Sequence, residues 1–269
     1  MEKEGDGEVR EVAIVVLLCL VAAAADAQVT PQKLDADCEK VLVISDFETE
    51  AEIANHKSRG AAYRFRPKRE NRHTIWLGVE NAKWSASRLE ISDEHVYHGK
   101  RSLKAHASVG SGHAWTFATG NSFPQDWTGY DAVRFFIHWP KHEKPAQFIW
   151  GYKLQFTNAE GKRDQLLAWF LYKVKPGDSS LEIPLSAIRN LKWPGPKGGY
   201  GSGVNMTGMS LWNQDRKHAY LNKVGWPFDK VFYLQIGLRG GYSGKVPHHY
   251  WVDYVRLVKW KKKKKEETK

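Results

Sequence analysis

The chain predicts an all-β domain built as a two-sheet antiparallel β-sandwich. Three observations lead there. Short runs alternate apolar and polar residues, turn residues recur between them at near-regular spacing, and no long stretch repeats with helical period. The length of 269 residues suits one β domain with long loops. Twelve tryptophans among many other aromatics supply enough apolar surface for a sizeable core.

The N-terminus precedes the domain. Val12 to Ala25 is unbroken apolar sequence, too short for a membrane span and suited to the apolar region of an export signal. Ala25-Asp26-Ala27 is a cleavage pattern that leaves Gln28 as the new start, although the region before it is acidic where a basic one is expected. The expected organisation is therefore a signal peptide over 1–27, a linker over 28–40, the β domain over 41–258 and a disordered lysine-rich tail over 259–269. The expected product is secreted and monomeric, with no integral membrane association. Cys19 would leave with the signal, so Cys38 stays unpaired and no internal disulfide forms. The formal net charge is +11, and the tail carries seven lysines against Glu266 and Glu267. In an exported chain without a nucleic-acid motif, this charge points to acidic polysaccharide and away from nucleic acid.

The elements follow in order. Val41 to Ser45 is an apolar first strand, ending in Asp46-Phe47-Glu48. Residues from His56 to His73 are basic, without sustained periodicity, and read as a long loop; Trp76 and Trp84 after it suit either core or platform. Arg88–Ser92, Ser102–Ala107 and Ala114–Ala118 are short strands, and Ala132–Trp139 follows the turn at Asp126–Asp131. Phe148–Phe156 and Gln165–Val174 form a hairpin about Asn158-Ala159-Glu160-Gly161. Ser180–Leu185 contains Pro184 and is expected at a sheet edge. Asn190 to Gly208 is Gly- and Pro-rich and reads as an irregular loop. Val231–Leu238 and Tyr250–Val258 are the last strands. In the final strand Val255 and Leu257 point one way and Tyr254 and Arg256 the other, while Asp253 is a carboxylate where burial is expected.

Asp46-Phe47-Glu48, His98-Gly99-Lys100-Arg101-Ser102-Leu103-Lys104, Asp126 to Phe135, Lys175-Pro176-Gly177 before Leu181 to Leu185, and Trp251 to Leu257 occur in one order. Together they resemble the β-jelly-roll carbohydrate-binding modules of the galactose-binding-domain-like superfamily, especially the glucan-binding kind attached to cellulases. The resemblance implies a jelly roll from about Val41 to Val258 and non-catalytic binding of polysaccharide. It also implies a structural Ca²⁺ held by Glu48 and Asp253, with backbone carbonyls near Gly99 to Ser102. Hard oxygen donors of this kind suit that ion. The basic stretch from His56 to His73 departs from the family pattern.

Sugar binding needs aromatic platforms and polar side chains on one accessible face. Opposite the apolar parity of four strands stand Arg134 and His138, Lys153 and Gln155, Trp169, and Tyr233, Gln235 and Arg239. These eight are expected to share one sheet face, with Trp150 and Tyr152 on the core side. No nucleophile elbow, HExxH motif or phosphate loop is present. Two alternatives remain open at this point. One is a jelly-roll polysaccharide lyase with His138, His106 or Tyr233 as base and Arg134 or Arg239 neutralising a uronate. The other is a protein-interaction domain on the same fold.

Overall fold

The computed structural model describes residues 34–56, 73–79, 87–107, 113–117, 123–141, 143, 145–186, 206–210, 215–238 and 248–262. The segment expected to be an export signal, most of the basic stretch, Trp84, Arg239 and the end of the lysine tail lie outside them.

Thirteen strands are defined among the described residues: β1 Cys38–Ser45, β2 Ile53–His56, β3 Trp76–Val79, β4 Ser87–Ser92, β5 Ser102–Ala107, β6 His113–Phe117, β7 Ala132–Trp139, β8 Ala146–Thr157, β9 Arg163–Val174, β10 Gly177–Pro184, β11 Met206–Ser210, β12 Val231–Leu238 and β13 His248–Trp260. They form two sheets. A six-stranded sheet runs β10-β7-β13-β5-β4, with β1 also paired to β13; a seven-stranded sheet runs β11-β9-β8-β12-β6-β3-β2. The chain is thus an all-β sandwich, as its alternation predicts. Pro184 ends β10, which lies at a sheet edge where its missing N–H is tolerated.

The core lies between the sheets. Leu103 and Ala105 of β5, Val133, Phe135, Ile137 and Trp139 of β7, and Tyr250 and Val252 of β13 face it from one side. Phe148, Trp150, Tyr152 and Leu154 of β8, with Leu234 and Ile236 of β12, face it from the other. Trp150 and Tyr152 are core residues as their parity requires, and Trp76 is fully buried as well. Such large rings supply the apolar burial that a chain without an internal disulfide among its described residues depends on.

Three features depart from the sequence reading. First, β2 and β3 pair in parallel, so the sandwich is not antiparallel throughout. Second, Asp215–Val224 forms one helix, α1, of only 10 residues, too short to show as a sustained apolar stripe. Third, the folded unit extends beyond 41–258. β1 begins at Cys38 opposite Trp260, and Asp35 is buried, so residues assigned to the linker belong to the domain.

β13 organises the six-stranded sheet. On one side it pairs with β7, from Trp251 to Val258. On the other it pairs with β5 only as far as Val252 and with β1 only from Val255. The seam between falls at Asp253 and Tyr254, where the register slips and Tyr254 takes φ +49°. At that bulge Asp253 and the next residue, Tyr254, both lie away from the core, and Val255 and Leu257 return to it.

Candidate functional site

The seam is closed by carboxylates. The Asp253 side chain is fully buried. Its Oδ2 accepts the backbone N–H groups of Tyr97 (2.6 Å) and His98 (2.8 Å), and its Oδ1 accepts that of Tyr254 (2.7 Å). Glu48 Oε1 accepts the N–H groups of Lys100 (2.7 Å) and Arg101 (3.2 Å) in the same β4–β5 loop. The two acids therefore replace a missing strand, bonding donors that no sheet neighbour reaches. Burial pushes the Asp253 carboxyl up to about 7; its three backbone donors oppose this, and the Glu48 charge adds to the rise. A third acid, Glu52, is buried at the end of β1 and accepts from Ser45 Oγ and the N–H groups of Phe47 and Thr49. Burial raises its carboxyl also. The sequence reading singled out Asp46 and Glu48 but missed Glu52, whose burial follows from the short turn Glu50–Glu52 folding back on β1.

Seven of the eight residues expected on one face are described, and they occupy two sheets, which corrects the sequence reading. Arg134 and His138 stand on β7 of the six-stranded sheet. Lys153, Gln155, Trp169, Tyr233 and Gln235 stand on β8, β9 and β12 of the seven-stranded sheet. Arg239 lies outside the described residues. Strand parity was legible; membership of a common sheet was not.

Arg134 is occupied. Its Nε lies 2.5 Å from Glu182, its Nη2 2.5 Å from Asp37, and its Nη1 3.6 Å from Asp35. The guanidinium holds the Asp37 carboxyl well below the usual range. Cys38 lies in the same cluster, and burial pushes its thiol up to about 11, which leaves it a poor nucleophile.

His138 belongs to a ladder across the outer face of the six-stranded sheet. Glu90, Lys104, Trp251, His138 and Asp178 are successive cross-strand partners on β4, β5, β13, β7 and β10. His138 Nδ1 is hydrogen bonded to Asp178 Oδ1. The imidazole of His95, from the β4–β5 loop, stacks on His138 with centroids 3.4 Å apart and planes 12° from parallel. Trp251 meets both rings edge-on, and Lys104 Nζ lies 5.0 Å above its indole and 2.8 Å from Glu94 Oε2. Burial, with His138 beside it, holds the His95 imidazole below its ordinary value. Burial raises the Asp178 carboxyl, but its bonds to His138 and Tyr97 outweigh this and leave it lowered. A second row places His106 against His249, with ring centroids 4.5 Å apart and His106 Nε2 2.9 Å from Glu90. The sequence reading missed His95, Lys104, Asp178 and Trp251. The same parity count, applied to β5, β10 and β13, puts three of them opposite the core residues. His95 is in a loop and carries no such signal.

The outer face of the seven-stranded sheet holds the other group. Lys153 and Tyr233 are direct partners, with Lys153 Nζ 5.0 Å over the Tyr233 ring. The Tyr233 hydroxyl donates to Gln235 Oε1 at 2.7 Å. Gln155 accepts from Arg163 at 2.6 Å. In the adjoining row Gly151 lies between Trp169 on β9 and Gln235 on β12, leaving a position without a side chain between them. Tyr233 and Gln235 are buried, whereas Lys153 and Gln155 are partly exposed.

No protein-family model matches the chain, and no curated protein does. Among solved structures, the chain is similar to a family 11 carbohydrate-binding module from Clostridium thermocellum in complex with a β-1,3-1,4-mixed-linked tetrasaccharide. That match has 12% identity, 66% of this chain and 85% of that one covered, and a TM-score of 0.37. It is also similar to a family 30 carbohydrate-binding module of a cellulosomal cellulase of the same organism, with 14% identity, 65% and 90% coverage and a TM-score of 0.38. An agarase matches with 12% identity over 83% of this chain but 25% of its own, with a TM-score of 0.45. What each neighbour binds is a property of that neighbour.

Proposed function

We propose that the protein binds polysaccharide without catalysis, through the outer face of the seven-stranded sheet. One observation carries this reading: Lys153, Tyr233 and Gln235 form a bonded polar-aromatic group on that face, away from the core. The hydrogen bond from Tyr233 orients the Gln235 amide, and the buried pair makes a floor beneath Lys153 and Gln155. Such a surface offers the Lys153 ammonium and the Gln155 amide to sugar hydroxyls above a fixed aromatic floor. The net charge of +11 favours acidic glycans, with affinity that falls as salt rises. A glycan array probed with the full chain tests this. Binding to at least one polysaccharide, weakened about tenfold or more by Lys153→Ala together with Gln155→Ala, is the expected result; wild type that retains no glycan, acidic or neutral, overturns it. The lyase alternative loses support because Arg134 is engaged by Asp35, Asp37 and Glu182 and is not placed beside Tyr233.

Calcium belongs to the same reading. Glu48 and Asp253 gather on one loop, and the Glu48 charge helps raise the Asp253 carboxyl, so a divalent cation beside them would offset that repulsion. The backbone N–H groups already fill part of their acceptor capacity, which limits the ion to the oxygen lone pairs that remain. Glu48 and Asp253 would hold it, and it would tie the first turn of the domain to the last strand. Chelator should then lower the Tm of wild type and leave that of Asp253→Ala unchanged; wild type insensitive to chelator would exclude the ion.

A further inference from the structure

We propose that His95, His138 and Asp178 form a surface site for a divalent first-row transition metal, distinct from the calcium reading and independent of glycan binding. One ligand atom from each of the three lies within 4.8 Å of the others. A tetrahedral zinc site places its donors about 3–4 Å apart, given metal–ligand distances near 2 Å, so the set needs only a small side-chain adjustment to close. The donors come from three separate parts of the chain: the β4–β5 loop, β7 and edge strand β10. Two imidazoles and one carboxylate select metals of the zinc, copper and nickel kind over calcium, which prefers oxygen alone.

The surroundings hold the donors ready. His95 takes φ +51°, a backbone conformation uncommon outside glycine. It brings the imidazole onto His138, where a solvated loop histidine would have no reason to sit. Trp251 packs edge-on against both rings, with centroids 4.5 Å and 5.4 Å away, and limits their rotation. His138 is buried while His95 and Asp178 are exposed, so the site has a fixed inner donor and an open outer side. With three protein ligands, a further position stays available to water or to an external donor.

The test uses the full chain, stripped of metal and returned to chelator-free buffer. Zn²⁺ is titrated in competition with a chromophoric chelator, and Co²⁺ is followed by its visible absorption. Wild type should take up one Zn²⁺ at this site and show the absorption of nitrogen- and oxygen-bound Co²⁺. His95→Gly, which tolerates the backbone angle, and Asp178→Asn should each weaken Zn²⁺ binding by more than the roughly 10–100-fold that loss of an outer partner costs. Both residues are exposed, and unchanged circular dichroism shows that the variants fold. His106→Ala, in the neighbouring row, should bind as wild type does. Wild type without a Co²⁺ signal, or His95→Gly and Asp178→Asn that bind Zn²⁺ as tightly as wild type, would overturn the assignment.

Discussion

The two halves of β13 bury charge in opposite ways. Before the bulge, Asp253 is surrounded by backbone N–H groups and by another acid, and its carboxyl is driven up to about 7. After the bulge, Arg256 is equally buried but forms a two-bond ion pair with Asp35, Nε and Nη2 each 2.9 Å from its carboxylate, while Tyr254 donates to the same acid at 3.0 Å. Three residues apart on one strand, the same loss of solvation is met by dipoles in one case and by a full countercharge in the other. The difference is one of countercharge: positive charge is built into the second half and not into the first.

The largest loss of stability is expected at the ion pair. Asp35→Ala leaves the Arg256 guanidinium buried without its partner and should cost about 3–5 kcal/mol in urea denaturation. A loss within error would mean that residues 34–37 do not seal the end of the sheet. Gly99→Ala comes next. Gly99 has φ +70°, and a Cβ there would stand 1.9 Å from Glu48 Oε1, so the acid would have to leave the loop. Left-handed strain and the lost hydrogen bonds together predict about 2–4 kcal/mol. Gly99→Ala with wild-type stability would show that Glu48 is not needed at the seam.

The smallest change at neutral pH is expected for Asp253→Asn, and its value lies in the slope. The folded-state value of Asp253 is raised above its ordinary 3.8, to about 7, so the folded form binds the proton more readily than the unfolded chain does. In chelator, its contribution to stability is therefore full below about pH 4 and is lost as pH rises through about 7. Asp253→Asn should remove that part of the pH dependence. Added Ca²⁺ should reverse it in wild type, because the ion favours the ionised carboxylate. Wild type and Asp253→Asn with parallel pH profiles in chelator would contradict the buried, proton-binding role.

Much of the fold was legible because a strand's period of two is local. Ser102–Ala107, Ala132–Trp139 and Val231–Leu238 were read with the bounds they have, and Trp150 and Tyr152 face the core as their parity demands. The short β2, β3 and β11 were not read: β2 and β3 hold only four residues each, and β11 begins inside the Gly- and Pro-rich stretch read as a loop. The candidate face failed for a different reason. His138 and Tyr233 each point away from the core, but from opposite sides of the sandwich, and no local signal distinguishes those sides.

What the sequence alone determined is the division of each strand into an apolar and a polar side, together with the odd carboxylate at Asp253. Those follow from chemistry within a few residues. Only the tertiary structure decided which polar sides share a surface, how His95 reaches His138, and that Asp253 sits where β5 stops and β1 begins. These depend on pairings between residues far apart in the chain, such as Tyr97 with Asp253 and His138 with Asp178, whose geometry exists only once both sheets are formed.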